Sequence, residues 1–354
     1  MDTSDKKDLR PGNSFDPDGV ANTSNNIFGL PFSLQESKLV FIPVPWDVTT
    51  SNYSGTSEGP SVILKTSYQI DLYDPVAPNA WKQGLVMEQI DHALMSKNNE
   101  LRKHSERIIS FLEAGGDTKD NSEIRTLTGR INQECDLLSI DTEKKCLQYL
   151  ENGQIPFIVG GEHSVSDGAI QAFSRQGKDF GILQVDAHAD MRDQYMGFTH
   201  SHASVMRRAL DKKGVSGIVQ VGIREICSEE ARFISMNHRK IKTYFDHDLK
   251  QRAFEGETWR EICRDIADKL PEFIYVSFDV DGLVPSDCPG TGTPVPGGLT
   301  YSQAVYLIET IVSSGRRIIG GDLVETGPTN MDGIISSRLL YRMAGMAIKS
   351  NEKA

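Results

Sequence analysis

Cysteine is scarce in this chain of 354 residues. The five present, Cys135, Cys146, Cys227, Cys263 and Cys288, are odd in number, scattered and without a CxxC spacing. No disulfide framework can be read from them, and a cytoplasmic location is expected. Long apolar runs are missing too: none approaches the ~20 residues of a membrane span, so no membrane partner is expected. Met1 to Arg10 is polar, without the apolar core of a secretory leader, and no leader is expected. Positive charge is in deficit, with 38 Lys and Arg against 49 Asp and Glu and a net charge of −11. Nucleic acid, whose phosphates require Lys/Arg stripes, is not an expected partner, whereas a small cationic substrate suits the balance.

What is present is enough apolar residue, 38%, for a large buried core. Residues 1–26, rich in Asp, Ser, Asn, Gly and Pro, read as a flexible N-terminal arm. No repeat or linker divides 27–354, which reads as one domain. Its first strand is 39–45, followed by a Thr/Ser/Gly-rich loop to Pro60 and a helix opening near Ser61. Residues 96–114 and 121–152 carry apolar positions at helical spacing, broken at 115–120, with the dense charge between them read as a solvated face. From 155 onward strands (155–159, 180–186, 217–221, 242–245, 272–278, 317–325) alternate with helices. That pattern predicts a mostly parallel sheet with helices on both faces.

Three strand ends carry ligand-type side chains. Asp186-Ala-His188-Ala-Asp190 follows the apolar run 180–185, Gly160-Gly-Glu-His163-Ser follows 155–159, and Asp279-Val-Asp281 closes 272–278. In extended backbone i and i+2 share a face, so alternating ligands can point at the same ions. A single DxD, or a lone His after two glycines, is by itself more often structural. Three ionisable groups at one buried strand end are rarely without a metal or a partner. Two histidines with four carboxylates form a hard-to-borderline donor set, suited to Mn²⁺ and tolerant of Ni²⁺, Co²⁺ or Zn²⁺. Four carboxylates exceed the need of one dication. Two neighbouring ions would use them, and such a pair can lower the pKa of a bridging water.

With these motifs the chain resembles the ureohydrolases, the arginase and agmatinase family of binuclear manganese enzymes. The matching segments are 160–164, 186–190 and 277–286, the last continuing into 289–300, with looser similarity over 39–348. The resemblance implies a three-layer α/β/α fold around a central parallel sheet, two Mn²⁺ per chain and a homo-trimer or homo-hexamer. It implies His163 and Asp190 as ligands of one ion, His188 and Asp281 of the other or shared, and Asp186 and Asp279 as bridges. His202 matches the histidine that relays protons to the leaving amine, a task suited to an ordinary histidine pKa. His200 beside it reads as a packing residue. Glu325 matches the carboxylate that pairs with the substrate guanidinium by a two-pronged contact. Thr293 matches a threonine near the substrate. Arg192 stands where arginases place an Asn, as either a holder of a substrate carboxylate or a structural ion-pair partner. Val284 replaces an Asp usual in the third motif, at a position that is not a ligand.

The expected activity is hydrolysis of a guanidino C–N bond to urea and an amine. Agmatine, giving putrescine, comes first by a narrow margin. Arginine, giving ornithine, comes second, and another guanidino acid or formiminoglutamate third. A metal-binding scaffold without catalysis would have broken ligands, and none is broken here. A deacetylase of related fold would be expected to hold one zinc, which the six-ligand set argues against.

Overall fold

A computed structural model describes residues 15–352. Eight strands form one sheet: β1 (Leu39–Val44), β2 (Leu85–Met87), β3 (Ile155–Gly160), β4 (Phe180–Val185), β5 (Val215–Ile223), β6 (Ile241–Phe245), β7 (Phe273–Asp279) and β8 (Arg317–Val324). Their order across the sheet is β2-β1-β3-β8-β7-β4-β5-β6, and every pairing is parallel. The inner strands β1, β3 and β4 are buried along their whole length, as strands of a parallel sheet covered on both faces should be. Successive side chains enter opposite cores. Phe41, Phe157 and Leu183 join one, while Ile42, Ile158 and Ile182 join the other.

The first core is covered by α1 (Gly59–Ser67), α8 (Trp259–Asp268), α9 (Tyr301–Ser313) and α10 (Asn330–Asn351). The second lies under α2 (His92–Glu113), α3 (Ser122–Glu151), α4 (Ser166–Ser174) and α5 (Val205–Leu210). The arrangement is the expected three-layer α/β/α fold. The short α6 (Ser228–Met236) and α7 (Asp246–Phe254) complete it. Neither β2 nor α7 is predicted by the sequence. β2 is three residues long, too short to alternate, and α7 buries only Asp246 and Leu249.

Residues 1–14 of the expected arm lie outside the described residues. Beyond them, Phe15 packs on Trp81 with ring centroids 5.5 Å apart. Asn26 brackets Met87 on β2, accepting from its N–H at 2.7 Å and donating to its carbonyl at 3.0 Å.

The charged faces of α2 and α3 are only partly solvated. On α2, Asn98, Arg102 and Ser105 are buried together with Leu101 and Ile108. Asn98 accepts from Asp47 N–H at 2.7 Å and donates to the Asp47 carboxylate at 2.9 Å. Arg102 donates to the carbonyls of Asp47 and Thr50, and Ser105 donates to that of Val48. The inserted helical pair therefore holds the loop after β1. Arg102→Met removes the donor of two buried carbonyls, and stability is expected to fall by about 3 kcal/mol. The midpoint of urea denaturation measures it; an unchanged midpoint would mean that water replaces the guanidinium.

Because all strands run parallel, their C-terminal ends share one edge of the sheet. There Asp279 ends β7, Glu325 and Asp186 directly follow the neighbouring strands β8 and β4, and His163 stands three residues beyond β3. The register pairs Val185 with Phe278 and Asp279 with Val324, which sets Asp186 beside Asp279 and Glu325 one residue beyond. No helix among the described residues is long and apolar enough to cross a membrane.

Candidate metal centre

Two glycines let these ends converge. A Cβ on Gly161 would stand 2.0 Å from the Trp46 carbonyl oxygen, and one on Gly282 would stand 2.7 Å from Asp186 N. Neither clash is relievable by side-chain movement, because both neighbours are backbone. Gly161 lets Glu162 N–H reach the Trp46 carbonyl at 2.8 Å, and Gly282 lets the loop after β7 lie against the start of the Asp186 turn.

His163, Asp186 and Asp190 form one group whose ligand atoms lie within 4.8 Å of one another, and Asp186, His188 and Asp281 form a second. Asp186 belongs to both. His163 Nδ1 is 2.9 Å from Asp190 Oδ2, 3.1 Å from Asp186 Oδ2 and 3.4 Å from Asp279 Oδ2. His188 Nδ1 is 2.9 Å from Asp281 Oδ2. All six predicted ligand residues are thus brought together. Except for His188, which is partly exposed, all are buried.

The state of His163 tests whether cations fit. Its Nε2 is 2.8 Å from Ser277 Oγ, whose own hydroxyl points to the Asp322 carboxylate at 2.9 Å. With that hydroxyl hydrogen committed to Asp322, Ser277 accepts, so Nε2 carries the proton and Nδ1 presents a lone pair. Nδ1 is buried without a hydrogen bond among three carboxylates. A proton or a cation must occupy that gap. Burial works against a charged ring, yet Asp186, Asp190 and Asp279 outweigh it and push the His163 pKa well above its ordinary value. Burial and the charge of Asp186 raise Asp190 to about 7, and burial with Asp281 and Asp186 raises Asp279 strongly. A buried cluster with this surplus of negative charge fits a pair of divalent cations.

Further residues shape the cluster. Gln184, fully buried in β4, donates to Asp186 Oδ2 at 2.8 Å and to the His188 carbonyl at 3.1 Å. Gln220 on β5 donates to Gln184 Oε1 at 2.7 Å, and Thr243 on β6 donates to Gln220 Oε1 at 2.7 Å. This chain of side chains crosses three strands and fixes the orientation of the shared aspartate, as outer partners of metal ligands do. Arg224 donates to the carbonyls of Asp281 and Leu283, holding the loop that carries Asp281. Glu162 accepts from Thr49 N–H and Oγ and from Thr50 and Ser164 Oγ. Burial, partly offset by these donors, raises it to about 7. The sequence offers one clue to them. Gln184 and Glu162 are polar residues in or beside buried apolar strands, where each must find a partner.

A cleft of about 260 Å³ opens above the cluster, lined by His188, Asp190, His202, Thr293, Arg192 and Glu225 among others. His202 Nε2 is 3.4 Å from Ser51 Oγ, its backbone N–H donates to Thr49 Oγ1 at 3.1 Å, and its Nδ1 is buried without a partner. Burial, then the charge of His188, lowers its pKa to about 3. The ring is therefore neutral in this state, and the ordinary histidine value expected from sequence does not hold. Thr293 Oγ1 donates to Asp281 Oδ2 at 3.3 Å.

Glu325 sits at φ 61°, a strained position for a residue other than glycine, as does Asp190 at φ 55°. Its Oε1 accepts from His163 N–H at 2.9 Å, while its buried Oε2 has no partner. Oε2 faces the turn before Thr293, 3.4 Å from where a Cβ on Gly292 would be. Arg192 lies 4.5 Å over the Tyr195 ring, with Nε 3.8 Å from Glu230. His200 packs as expected: it is buried, with Nε2 2.5 Å from Asp136 on α3.

Comparison with known proteins agrees with this geometry. The chain is 27% identical over 325 residues to an N(1)-aminopropylagmatine ureohydrolase of Synechocystis, covering 91% of this chain and 92% of the relative. It is 28% identical over 331 residues to a guanidinobutyrase of Pseudomonas aeruginosa, covering 88% and 87%. The solved agmatine ureohydrolase of Thermoplasma volcanium shares the fold at a TM-score of 0.68 and 24% identity, covering 94% of this chain and 95% of that one. A model of the arginase family matches residues 37–348, and the chain belongs to that family.

Proposed function

We propose that this protein hydrolyses the guanidino C–N bond of a small cationic substrate, releasing urea and a primary amine, with agmatine as first substrate and putrescine as product. The observation that carries the reading is Glu325 Oε2, a buried and unpartnered carboxylate oxygen beside the candidate metal centre. A planar guanidinium supplies the donors and the charge that this oxygen lacks. The two relatives named above, an N(1)-aminopropylagmatine ureohydrolase and a guanidinobutyrase, support the same class.

Two manganese ions are the proposed cofactors; His163, Asp186, Asp190, His188, Asp279 and Asp281 are the residues that would hold them. Nickel, cobalt or zinc are accommodated by the same donors. A pair of divalent ions held there would supply a nucleophile from water near neutral pH. The protein's own residues do the rest. Glu325 holds the guanidinium and fixes its carbon over the cluster. Thr293, on the adjacent turn, braces Asp281 and borders the substrate. Neutral His202 takes a proton at Nε2 as the oxygen of water bonds to the guanidinium carbon, and returns it to the amine nitrogen as the C–N bond breaks; the second proton of water also ends on that nitrogen, so the amine leaves as an ammonium. The oxygen of water ends as the carbonyl oxygen of urea. Arginine is the second substrate, and other guanidino acids or formiminoglutamate the third. The assembly is proposed as a homo-trimer or homo-hexamer.

The test is urea release by the manganese-loaded protein, with agmatine, arginine and a panel of guanidino acids in parallel. Agmatine is expected to give the highest kcat/KM. No urea from any of them would sink the guanidino reading and leave a metal centre of other use.

A further inference from the structure

We propose that Ser51 is a positioning residue for the reaction, a hydroxyl that stays bonded to His202 Nε2 while that nitrogen gains and loses a proton. This rests on the guanidino reading above and adds what that reading leaves open, how the ring is held through the proton cycle.

His202 has few partners for a residue with that task. Its Nδ1 is buried without a hydrogen bond. Ser51 Oγ, 3.4 Å from Nε2, is the one atom hydrogen-bonded to the ring among the described residues. Tyr195 adds a contact that carries no proton, its ring standing at 83° to the imidazole with centroids 6.4 Å apart. Ser51, Tyr195 and His202 line the same cleft as Asp190 and Thr293, so the pair stands in the wall of the candidate active site.

The loop that carries Ser51 is built to hold it. Thr49 Oγ1 donates to Glu162 Oε1 at 2.8 Å, and with its hydrogen committed there it accepts His202 N–H at 3.1 Å. Thr50 Oγ1 donates to Glu162 Oε2 at 3.2 Å, and the Thr50 carbonyl accepts from Arg102. Both residues before Ser51 are thus clamped, one of them to the His202 backbone itself. The Ser51 hydroxyl has no other hydrogen bond among the described residues, so nothing in the fold requires it elsewhere.

A hydroxyl suits this place for a chemical reason. It donates to an imidazole nitrogen that presents a lone pair and, by rotating, accepts from the same nitrogen once that carries a proton. A carboxylate, an acceptor only, would hold Nε2 protonated and remove the base. An ammonium, a donor only, would repel the protonated ring. Serine serves both states and keeps the ring aligned in each. Without it the imidazole loses its one tether and with it part of the orientation that proton transfer requires.

The test uses the full chain loaded with Mn²⁺, its Ser51→Ala and Ser51→Thr variants, and two probes. These are agmatine and its analogue with oxygen in place of the methylene next to the guanidino nitrogen. The analogue expels a weakly basic alkoxyamine, which needs less help from a proton donor. Ser51→Ala is expected to lower kcat for agmatine about tenfold, with KM changed less than about twofold and with metal content and melting temperature at wild-type values. The analogue should lose less than about threefold. Ser51→Thr, which keeps the hydroxyl, should stay within about threefold of wild type on agmatine. A Ser51→Ala kcat within about twofold of wild type, an equal loss on both probes, or a Ser51→Thr variant as slow as Ser51→Ala overturns the role of Ser51 and leaves the guanidino reading standing. Absence of urea from both probes with wild type overturns that reading and this inference together.

Discussion

Glu325→Gln is expected to lower kcat/KM for agmatine by about three orders of magnitude while metal content stays at the wild-type level. The substitution is nearly isosteric, and the side-chain amide oxygen can still accept from His163 N–H, as Oε1 does at 2.9 Å. The loop carrying His163 should therefore keep its place. What changes is the second position, where a buried oxygen without a partner becomes an N–H₂ donor. A guanidinium offers only donors, so an attraction between opposite charges becomes a donor–donor clash. Losing one or two charge-assisted hydrogen bonds costs about 4 kcal/mol, or roughly 10³ in rate constant. Steady-state urea release with metal analysis on the same sample measures both parts. A variant retaining a third of wild-type kcat/KM would show that Glu325 does not hold the substrate.

The strained backbone at Glu325 and Asp190 supports placing function there. Both residues have positive φ without being glycine; Glu325 directly follows β8, and Asp190 lies in the loop after β4. Such strain persists where surrounding structure over-determines the position. For Glu325 the determinants are its N–H to the Gly161 carbonyl at 2.7 Å and its carboxylate on His163 N–H.

How much of this the sequence reveals depends on the range of each interaction. Ligands at i and i+2 on a strand end are legible because their geometry is set by one segment. The alternation of strands with helices likewise announces a parallel sheet. The support behind the ligands is not legible, since it depends on which strands become neighbours. Gln184, Gln220 and Thr243 lie on three successive strands and meet only through the register that pairs Gln184 with Gln220 and Gln220 with Thr243. On α2 the inner face was hidden by its own chemistry. Asn98, Arg102 and Ser105 follow the spacing of Leu101 and Ile108, but polar side chains at inward positions read as solvated until the carbonyls they serve are in place. The pKa of His202 depends on burial beside His188, contributed by a loop and a strand end that the sequence leaves unpaired.

Asp279→Ala is expected to lower bound manganese from about two to about one per chain and activity by at least about 10³. Its effect on stability should change sign with the metal. Without metal, Asp279 is a buried carboxylate whose pKa is pushed up by burial and by Asp281 and Asp186. Folding must therefore either crowd negative charge or take up a proton, and both cost free energy. Removing the carboxylate relieves that cost, though it also removes the acceptor for Asp281 N–H at 2.8 Å, worth about 1 kcal/mol as a helix cap. Asp279→Asn separates the two effects, because its amide oxygen can keep the cap while the charge is gone. With chelator present, Asp279→Asn is expected to melt at or above the wild-type temperature. With Mn²⁺ present the order reverses, because ligands that bind the folded state stabilise it in proportion to ln(1 + [L]/Kd), and wild type binds more of them. Melting curves of wild type and Asp279→Asn in chelator and in Mn²⁺ would show the crossing. If wild type melts higher by the same margin in both, Asp279 supports the fold and does not hold an ion.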